Sequence, residues 1–185
     1  MSNTCYSGGA DGADLVWGNI AKEHGHRVTH FSFNGHRTRA NPEDVIRLDE
    51  KQLLAADPYL TQAIINLKRA RLEKRTEFVK SLLRRNWWQV RDATACYAVS
   101  HLHKGVVAGG TGYAVQMFID RGLMSMNSGP WIFDQEQLKW FRWNRSWARW
   151  EATNEVPPPT DRYAGIGTRE INRAGIAAVE DVYSQ

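Results

Sequence analysis

Near its start the chain carries the stretch Thr4-Cys5-Tyr6-Ser7-Gly8-Gly9-Ala10-Asp11-Gly12-Ala13-Asp14. The first four residues are typical of a short strand, and the glycine-rich run leads into apolar residues at helical spacing, from Leu15 to Ala21. In residues 26–33, Val28, Phe31 and Phe33 alternate imperfectly with polar residues, as in a mostly buried strand. Residues 1–33 therefore predict a strand, a glycine-rich turn, a helix and a strand. This order is a βαβ unit, which indicates an α/β fold with a parallel sheet flanked by helices.

Two more glycine-rich loops follow the same pattern. They are Ala108-Gly109-Gly110-Thr111-Gly112-Tyr113 and Ala164-Gly165-Ile166-Gly167-Thr168-Arg169-Glu170. We call the loops at 7–14, 108–113 and 164–170 the first, middle and third loops. A glycine-rich turn before a helix brings backbone N–H groups up to a phosphate. Because ligands of α/β sheets bind at the carboxyl ends of the strands, three such loops predict one composite site there.

The composition limits the classes of protein that fit. The chain has 185 residues, 42% hydrophobic and 24% charged, which is typical of one globular domain. A net charge of +4 favours anions in general without singling out nucleic acid. No apolar run has the length of a membrane helix, and the N-terminus lacks a signal-peptide core. The two cysteines, Cys5 and Cys96, lie in strand-like runs, so we expect core thiols and a reducing cytoplasm.

Residues 34–92 predict a helical segment. Asn41-Pro42-Glu43-Asp44 and Asp57-Pro58 are helix-start signals. The segment carries a run of cations, which we interpret as a solvated helix face. The run consists of Lys68, Arg69, Arg71, Lys74, Arg75, Lys80, Arg84, Arg85 and Arg91.

Residues 130–156 predict a small antiparallel meander that contains five of the eight tryptophans. Alternating Trp and Arg residues are compatible with a platform on which bases stack. We favour the alternative, in which the aromatic side chains pack across strands and cover a sheet edge. A proline linker, Pro157-Pro158-Pro159, leads to a last strand and helix within residues 160–185.

A parallel βα unit needs another strand after its helix, yet the sequence ends at Gln185. When the two ends are joined, Tyr163-Ala164-Gly165-Ile166-Gly167-Thr168-Arg169-Glu170, a helix and residues 4–14 stand in succession. This order resembles the start of the SLOG superfamily, a Rossmann-like group that includes the Lonely Guy phosphoribohydrolases and the DNA-processing protein A family. The resemblance implies a circularly permuted member. It implies one domain over residues 1–185, with 34–92 as a helical insert and 160–185 as the displaced first unit.

The central segment resembles the Lonely Guy arrangement of an arginine, a strand and a glycine-rich loop. The resemblance implies a ligand-binding set made of Ser7, Gly8, Gly9, Asp11, Asp14, Arg85, Gly109, Gly110, Thr111, Gly112, Gln116, Gly165, Gly167, Thr168, Arg169 and Glu170. Gln116 stands where that family has its catalytic glutamate, and an amide supplies no carboxylate. The pattern therefore favours binding over turnover. Asp11, Asp14 and Glu170 either cap or offset helix termini or accept hydrogen bonds from ribose.

We therefore expect a protein that binds a phosphorylated nucleoside or an ADP-ribose-like nucleotide in order to sense or sequester a nucleotide signal. A phage sponge that blunts host immunity, acting in the host cytoplasm, belongs to this class. One alternative is a nucleotide N-glycosidase that uses Asp11, Asp14, Glu170 and Arg85. Another is a binder of single-stranded nucleic acid. We expect a homo-oligomer, with no cofactor and no membrane association. We also expect no metal, because His101 and His103 lack an evident third ligand.

Overall fold

The structure, a computed structural model, describes residues 2–122 and 128–184. Its main feature is one eight-stranded sheet in the order β3-β2-β1-β10-β4-β7-β8-β9. The six strands from β3 to β7 run parallel, and β8 and β9 are antiparallel additions at one edge. The strands are β1 (Thr4–Ser7), β2 (Arg27–Phe33), β3 (Val45–Leu48), β4 (Ala95–Ser100), β7 (Trp131–Asp134), β8 (Lys139–Asn144), β9 (Arg149–Thr153) and β10 (Arg162–Gly167). A separate two-stranded hairpin pairs β5 (Leu102–His103) with β6 (Val106–Val107).

The last strand of the chain lies at the centre of this sheet. Strand β10 pairs with β1 on one side, where Tyr163 faces Cys5, and with β4 on the other. Counted from β10, β1 and β2 follow on one side and β4 and β7 on the other, which is the strand order of a Rossmann-like sheet. The predicted α/β fold is confirmed. The first and third loops are adjacent, because the Ala13 N–H donates to the Thr168 carbonyl.

Helices cover both faces of the sheet. They are α1 (Ala13–Glu23), α2 (Glu50–Leu54), α3 (Asp57–Asn66), α4 (Glu77–Val90), α5 (Thr111–Asp120) and α6 (Arg173–Tyr183). Helices α1 and α6 pack together on one face, whereas α3, α4 and α5 form the layer on the other. Both cysteines are buried and free. In the described part of the chain, no helix is long and apolar enough to cross a membrane.

The helical prediction for residues 34–92 is wrong at its start. Residues Pro42–Asp44 form a single 3-10 turn, and β3 follows at once. The capping signal was read correctly, because the Asn41 side chain accepts a hydrogen bond from the Glu43 N–H. The β-branched pair Val45 and Ile46 then pairs with β2 instead of continuing the turn into a helix. The second signal is confirmed, since α3 begins at Asp57.

The tryptophan-rich meander is confirmed, and it extends the main sheet through β7. Its aromatic rings pack against one another. Trp143 and Trp150 face each other across β8 and β9 with ring centroids 5.2 Å apart, and Trp140 lies 5.5 Å from Phe133. Trp147, 70% exposed, is the most exposed of the large hydrophobic residues that the structure describes. This arrangement agrees with the cross-strand packing that we favoured over a stacking platform.

Candidate functional site

A cavity of about 630 Å³ lies at the carboxyl ends of β4 and β10. The helix after β4 packs on one face of the sheet and the helix after β10 on the other, so this is the point where the strand order reverses. Open α/β sheets bind their ligands at such a point. Half of the predicted site residues line the cavity: Asp14, Arg85, Gly109, Gly110, Thr111, Gly167, Thr168 and Arg169. The other half lie outside this lining: Ser7, Gly8, Gly9, Asp11, Gly112, Gln116, Gly165 and Glu170.

The first loop is filled by protein groups. A methyl group built on Gly8 would lie 2.2 Å from both the Arg85 guanidinium and the Asp14 carboxylate. The Gly8 carbonyl accepts a hydrogen bond from Arg85 Nη1, and the Gly9 carbonyl accepts one from Thr38 Oγ1 at 2.5 Å. Glycine is required at both positions because neighbouring side chains occupy the space of a Cβ atom. The hydrogen bonds of these two backbone carbonyls therefore stabilise the fold.

A buried ion pair stands beneath this loop. Arg85 Nη2 lies 3.6 Å from Asp14 Oδ2, and both side chains are more than nine-tenths buried. The Asp14 carboxylate also accepts the Gly167 N–H at 3.1 Å and the Gln89 Nε2 amide at 3.4 Å. Burial raises the pKa of Asp14, against the opposing effect of Arg85, and burial likewise lowers the pKa of Arg85. Asp14 is therefore committed to holding Arg85 and the third loop in place.

Arg85 nevertheless retains an unused donor. Its Nη2 reaches Asn86 Oδ1 only at 3.4 Å, and its Nε is buried without a hydrogen-bond partner among residues 2–122 and 128–184. A buried N–H without a partner costs free energy, and an anion in the cavity that Arg85 lines would satisfy it. The interpretation of the cation run as a solvated face is therefore wrong for Arg85. It lies in a stripe of α4 that faces the cavity.

The third loop is also tightly packed. A methyl group on Gly165 would meet the Trp17 side chain at 2.8 Å, and one on Gly167 would meet the Val99 carbonyl at 2.3 Å. The Thr168 carbonyl accepts the Ala13 N–H, which fastens this loop to the first one. The loop lines the cavity from Ile166 to Arg169, and Arg169 at its polar end is exposed.

Two predicted carboxylates lie away from the cavity lining. The Glu170 side chain is exposed, and its backbone carbonyl accepts a hydrogen bond from Gln135. Asp11 is half-exposed and pairs with Arg39 at 3.4 Å. Neither residue lines the cavity, so Asp14 is the one carboxylate in its described lining.

The middle loop differs from the other two because its first two glycines are open, whereas Gly112 packs against the Val107 carbonyl and Arg69. Gly109 and Gly110 are exposed, and a methyl group built on either would meet nothing within 4 Å. Helix α5 begins at the next residue, Thr111, and its N-terminus places a partial positive charge at the cavity. The Gly112 and Tyr113 N–H groups already donate to the Ala108 and Gly110 carbonyls, so the donors available to a ligand are those of Gly110 and Thr111. Within this loop, backbone N–H groups have both the space and the polarity to bind a phosphate.

Two side chains hold the middle loop in place. Arg69 donates to the Gly109 carbonyl at 2.7 Å and to the Val107 carbonyl at 2.6 Å, and its guanidinium lies over the Tyr113 ring. Asn86 donates to the Gly110 carbonyl at 3.0 Å. With these carbonyls engaged, the loop is fixed in one orientation before any ligand arrives.

The sequence reading missed several residues that line the cavity. The additional polar residues are Arg69, Arg75, Asn86, Gln89, Ser100, His101 and Tyr113. A signal for part of this set was present in α4, where Leu82, Arg85, Asn86 and Gln89 have the i, i+3, i+4, i+7 spacing of one helix face. Polar residues in a buried helical stripe indicate a lined site. The residues around 69–75 gave no such signal, because tertiary contacts bring them to the cavity.

The overall charge of the lining is positive. Four arginines, Arg69, Arg75, Arg85 and Arg169, face one carboxylate, Asp14, which is already paired. Across the described ranges, no cluster of three or more His, Cys, Asp or Glu residues has the arrangement to hold a metal ion.

No family model, curated protein or solved structure matches this chain. Its likeness to the SLOG superfamily therefore rests on the quoted motifs and stays a prediction.

Proposed function

We propose that this protein binds a phosphorylated nucleoside or an ADP-ribose-like nucleotide in the cavity between β4 and β10 and holds it without cleaving it. Sensing or sequestration of a nucleotide signal is the role that fits such a site. The observation that carries the proposal is the lining of the cavity. It combines four arginines with an open glycine-rich helix start, and its one described carboxylate is already paired.

Phosphate recognition is supported by two features at different sides of the cavity. On one side the open N-terminus of α5 offers backbone N–H groups at Gly110 and Thr111. On the other side Arg169 offers an exposed guanidinium, and Arg85 offers a buried Nε donor. Guanidinium groups bind phosphate through paired hydrogen bonds, which makes them suited to this task.

Binding without turnover is supported by the state of Asp14. A glycosidase needs a carboxylate that is free to act on the scissile bond or on a water molecule. Asp14 is engaged by Arg85, Gly167 and Gln89, as described above. Asp11 and Glu170, the other carboxylates in the predicted set, lie outside the lining. The alternative hydrolase proposal therefore has no free carboxylate in the described cavity lining.

The test is a calorimetric titration with nucleoside 5′-monophosphates and ADP-ribose, followed by chromatography of the mixture. We expect saturable binding and recovery of the intact nucleotide. Arg169→Gln should weaken binding about tenfold to hundredfold, because a hydrogen bond to a charged group contributes about 1.5–3 kcal/mol.

A matched control is Arg27→Gln. Arg27 is an exposed arginine at the start of β2, at the opposite end of the strands. This variant should bind as the parent does. Release of free base would instead favour the hydrolase, and equal losses in the two variants would show that general charge, not this cavity, attracts the ligand.

A further inference from the structure

The stretch that joins α3 to α4 carries cations that the fold does not use. Lys68, Arg71, Lys74 and Arg75 are exposed, and none has a carboxylate within 4.0 Å in the part of the chain that the structure describes. Glu73 is the only acidic residue between them. Arg75 lines the cavity, so this cationic stretch forms its outer end.

A second cationic centre lies at the inner end of the same cavity. Arg85 and Arg169 both line it. Burial is the main cause that lowers the pKa of Arg85, and the charge of Arg169 adds to this effect. The orphaned Nε of Arg85 belongs to this inner centre. Asp14 balances one of these two positive charges, and an anion bound beside Arg169 would balance the other.

Helix α4 sets the distance between the two centres. Arg75 stands two residues before the first residue of α4, Glu77, and Arg85 lies within that helix. At 1.5 Å per residue, Glu77 and Arg85 are about 12 Å apart along the helix axis. The wall between them is apolar, formed by Val79, Leu82 and Leu83.

We infer that the ligand carries two phosphate groups on separate ends of a nucleoside, one bound by Arg85 and Arg169 and the other by Arg75. This inference rests on the proposed function and narrows it. The shared chemistry is that of a nucleoside bisphosphate, whether free or as the phosphorylated end of a short oligonucleotide. The apolar wall between the centres takes the sugar and base.

The test compares, by calorimetry at 0.15 M salt, the 5′-monophosphates, 5′-diphosphates and 3′,5′-bisphosphates of the four common ribonucleosides. We expect the preferred bisphosphate to bind at least about tenfold tighter than its monophosphate, because one more charged contact contributes about 1.5–3 kcal/mol. The diphosphate has its two phosphates together at one end, so it should gain less. A dinucleotide with a 5′-phosphate identifies the oligonucleotide source if it binds tighter still.

Arg75→Gln supplies the residue-level test. It should remove the advantage of the bisphosphate, whereas Arg27→Gln should leave that advantage in place. Equal affinity for monophosphate and bisphosphate, or an advantage that survives Arg75→Gln, would overturn the two-phosphate inference while the proposed function stands. Absence of binding by every nucleotide would overturn both. Since Arg75 is exposed, loss of folding does not confuse the result.

Discussion

The first and third loops resemble the middle loop in sequence but differ from it in physical state. In the first and third loops, Gly8 and Gly167 are required because side chains or backbone atoms occupy the space of a Cβ atom. In the middle loop, Gly109 and Gly110 face open space. The difference teaches that a glycine-rich strand-to-helix turn has two distinct causes. One is close packing between elements, and the other is access of a ligand to backbone N–H groups.

This contrast assigns a structural role to the first and third loops and a ligand-binding role to the middle loop. The first and third loops, with the buried pair of Asp14 and Arg85, form a rigid floor. The middle loop, the exposed arginines and the Nε of Arg85 form the part of the cavity that is free to contact a ligand. Changes in the floor should therefore act on stability, and changes in the open part should act on binding.

The largest effect is expected for Arg85→Met. This change leaves Asp14 buried without its cation, which typically costs about 3–5 kcal/mol of unfolding free energy. The matched control is the neighbouring Arg84→Met. Arg84 pairs with the partly exposed Asp57, so we expect a loss of about 1 kcal/mol. Urea denaturation measures both. Equal losses in the two variants would contradict the assignment of Arg85 to a rigid floor.

The next effect separates the two kinds of glycine. Gly167→Ala places a methyl group 2.3 Å from the Val99 carbonyl, a backbone atom that has little freedom to move. Overpacking of this kind costs about 1–3 kcal/mol of unfolding free energy. Gly110→Ala adds the same group to open space at a helical φ of −65°, so the change should stay within about 1 kcal/mol. Urea denaturation of both variants measures this difference. A larger loss of unfolding free energy in Gly110→Ala than in Gly167→Ala would contradict the distinction between packed and open glycines.

A third effect concerns two buried histidines near the first loop, His30 and His36. Burial lowers the pKa of each to about 4 from an ordinary value of 6.5. Between these values the unfolded chain binds protons that the folded chain excludes, so stability is full above about pH 6.5 and falls as the pH drops toward 4. Each histidine should contribute a slope of about 1 kcal/mol per pH unit. Urea denaturation at pH 7, 6 and 5 measures the slope.

His30→Phe tests which side chain is responsible. The variant is close in shape, and His30 Nδ1 is buried without a hydrogen-bond partner within the described ranges, so little is lost apart from the titrating group. The slope should fall by about half. An NMR titration of the parent protein gives both pKa values directly. Values near 6.5 would contradict the burial of these rings.

How far the sequence predicts this molecule depends on whether its signals are local. The βαβ start, the permuted last strand and the meander were predicted because hydrophobic periodicity and glycine turns are local patterns. Strand β3 was missed because its pairing with β2 overrides the helix-start signal at Asn41. Likewise, the sequence shows three similar glycine loops, but only the folded packing distinguishes Gly8 from Gly110. Arg69 and Arg75 reach the cavity through tertiary contacts that no local pattern specifies.

The smallest effect is expected for Gln116→Glu, which restores the residue that the Lonely Guy resemblance implies at this position. Gln116 Nε2 donates to Asp120 Oδ1 at 2.8 Å, and the side chain lies outside the cavity lining. A glutamate there would face Asp120 one helical turn away, and like charges at this spacing cost about 0.2–0.5 kcal/mol of unfolding free energy. The carboxylate is not placed to act on a nucleotide bound between β4 and β10. We therefore expect a small loss of stability, unchanged nucleotide affinity and no released base. Gln62→Glu is the matched control, because Gln62 also donates to a residue four positions on. Base release by Gln116→Glu alone would show that α5 presents this position to the ligand, and the middle loop would then be a catalytic element.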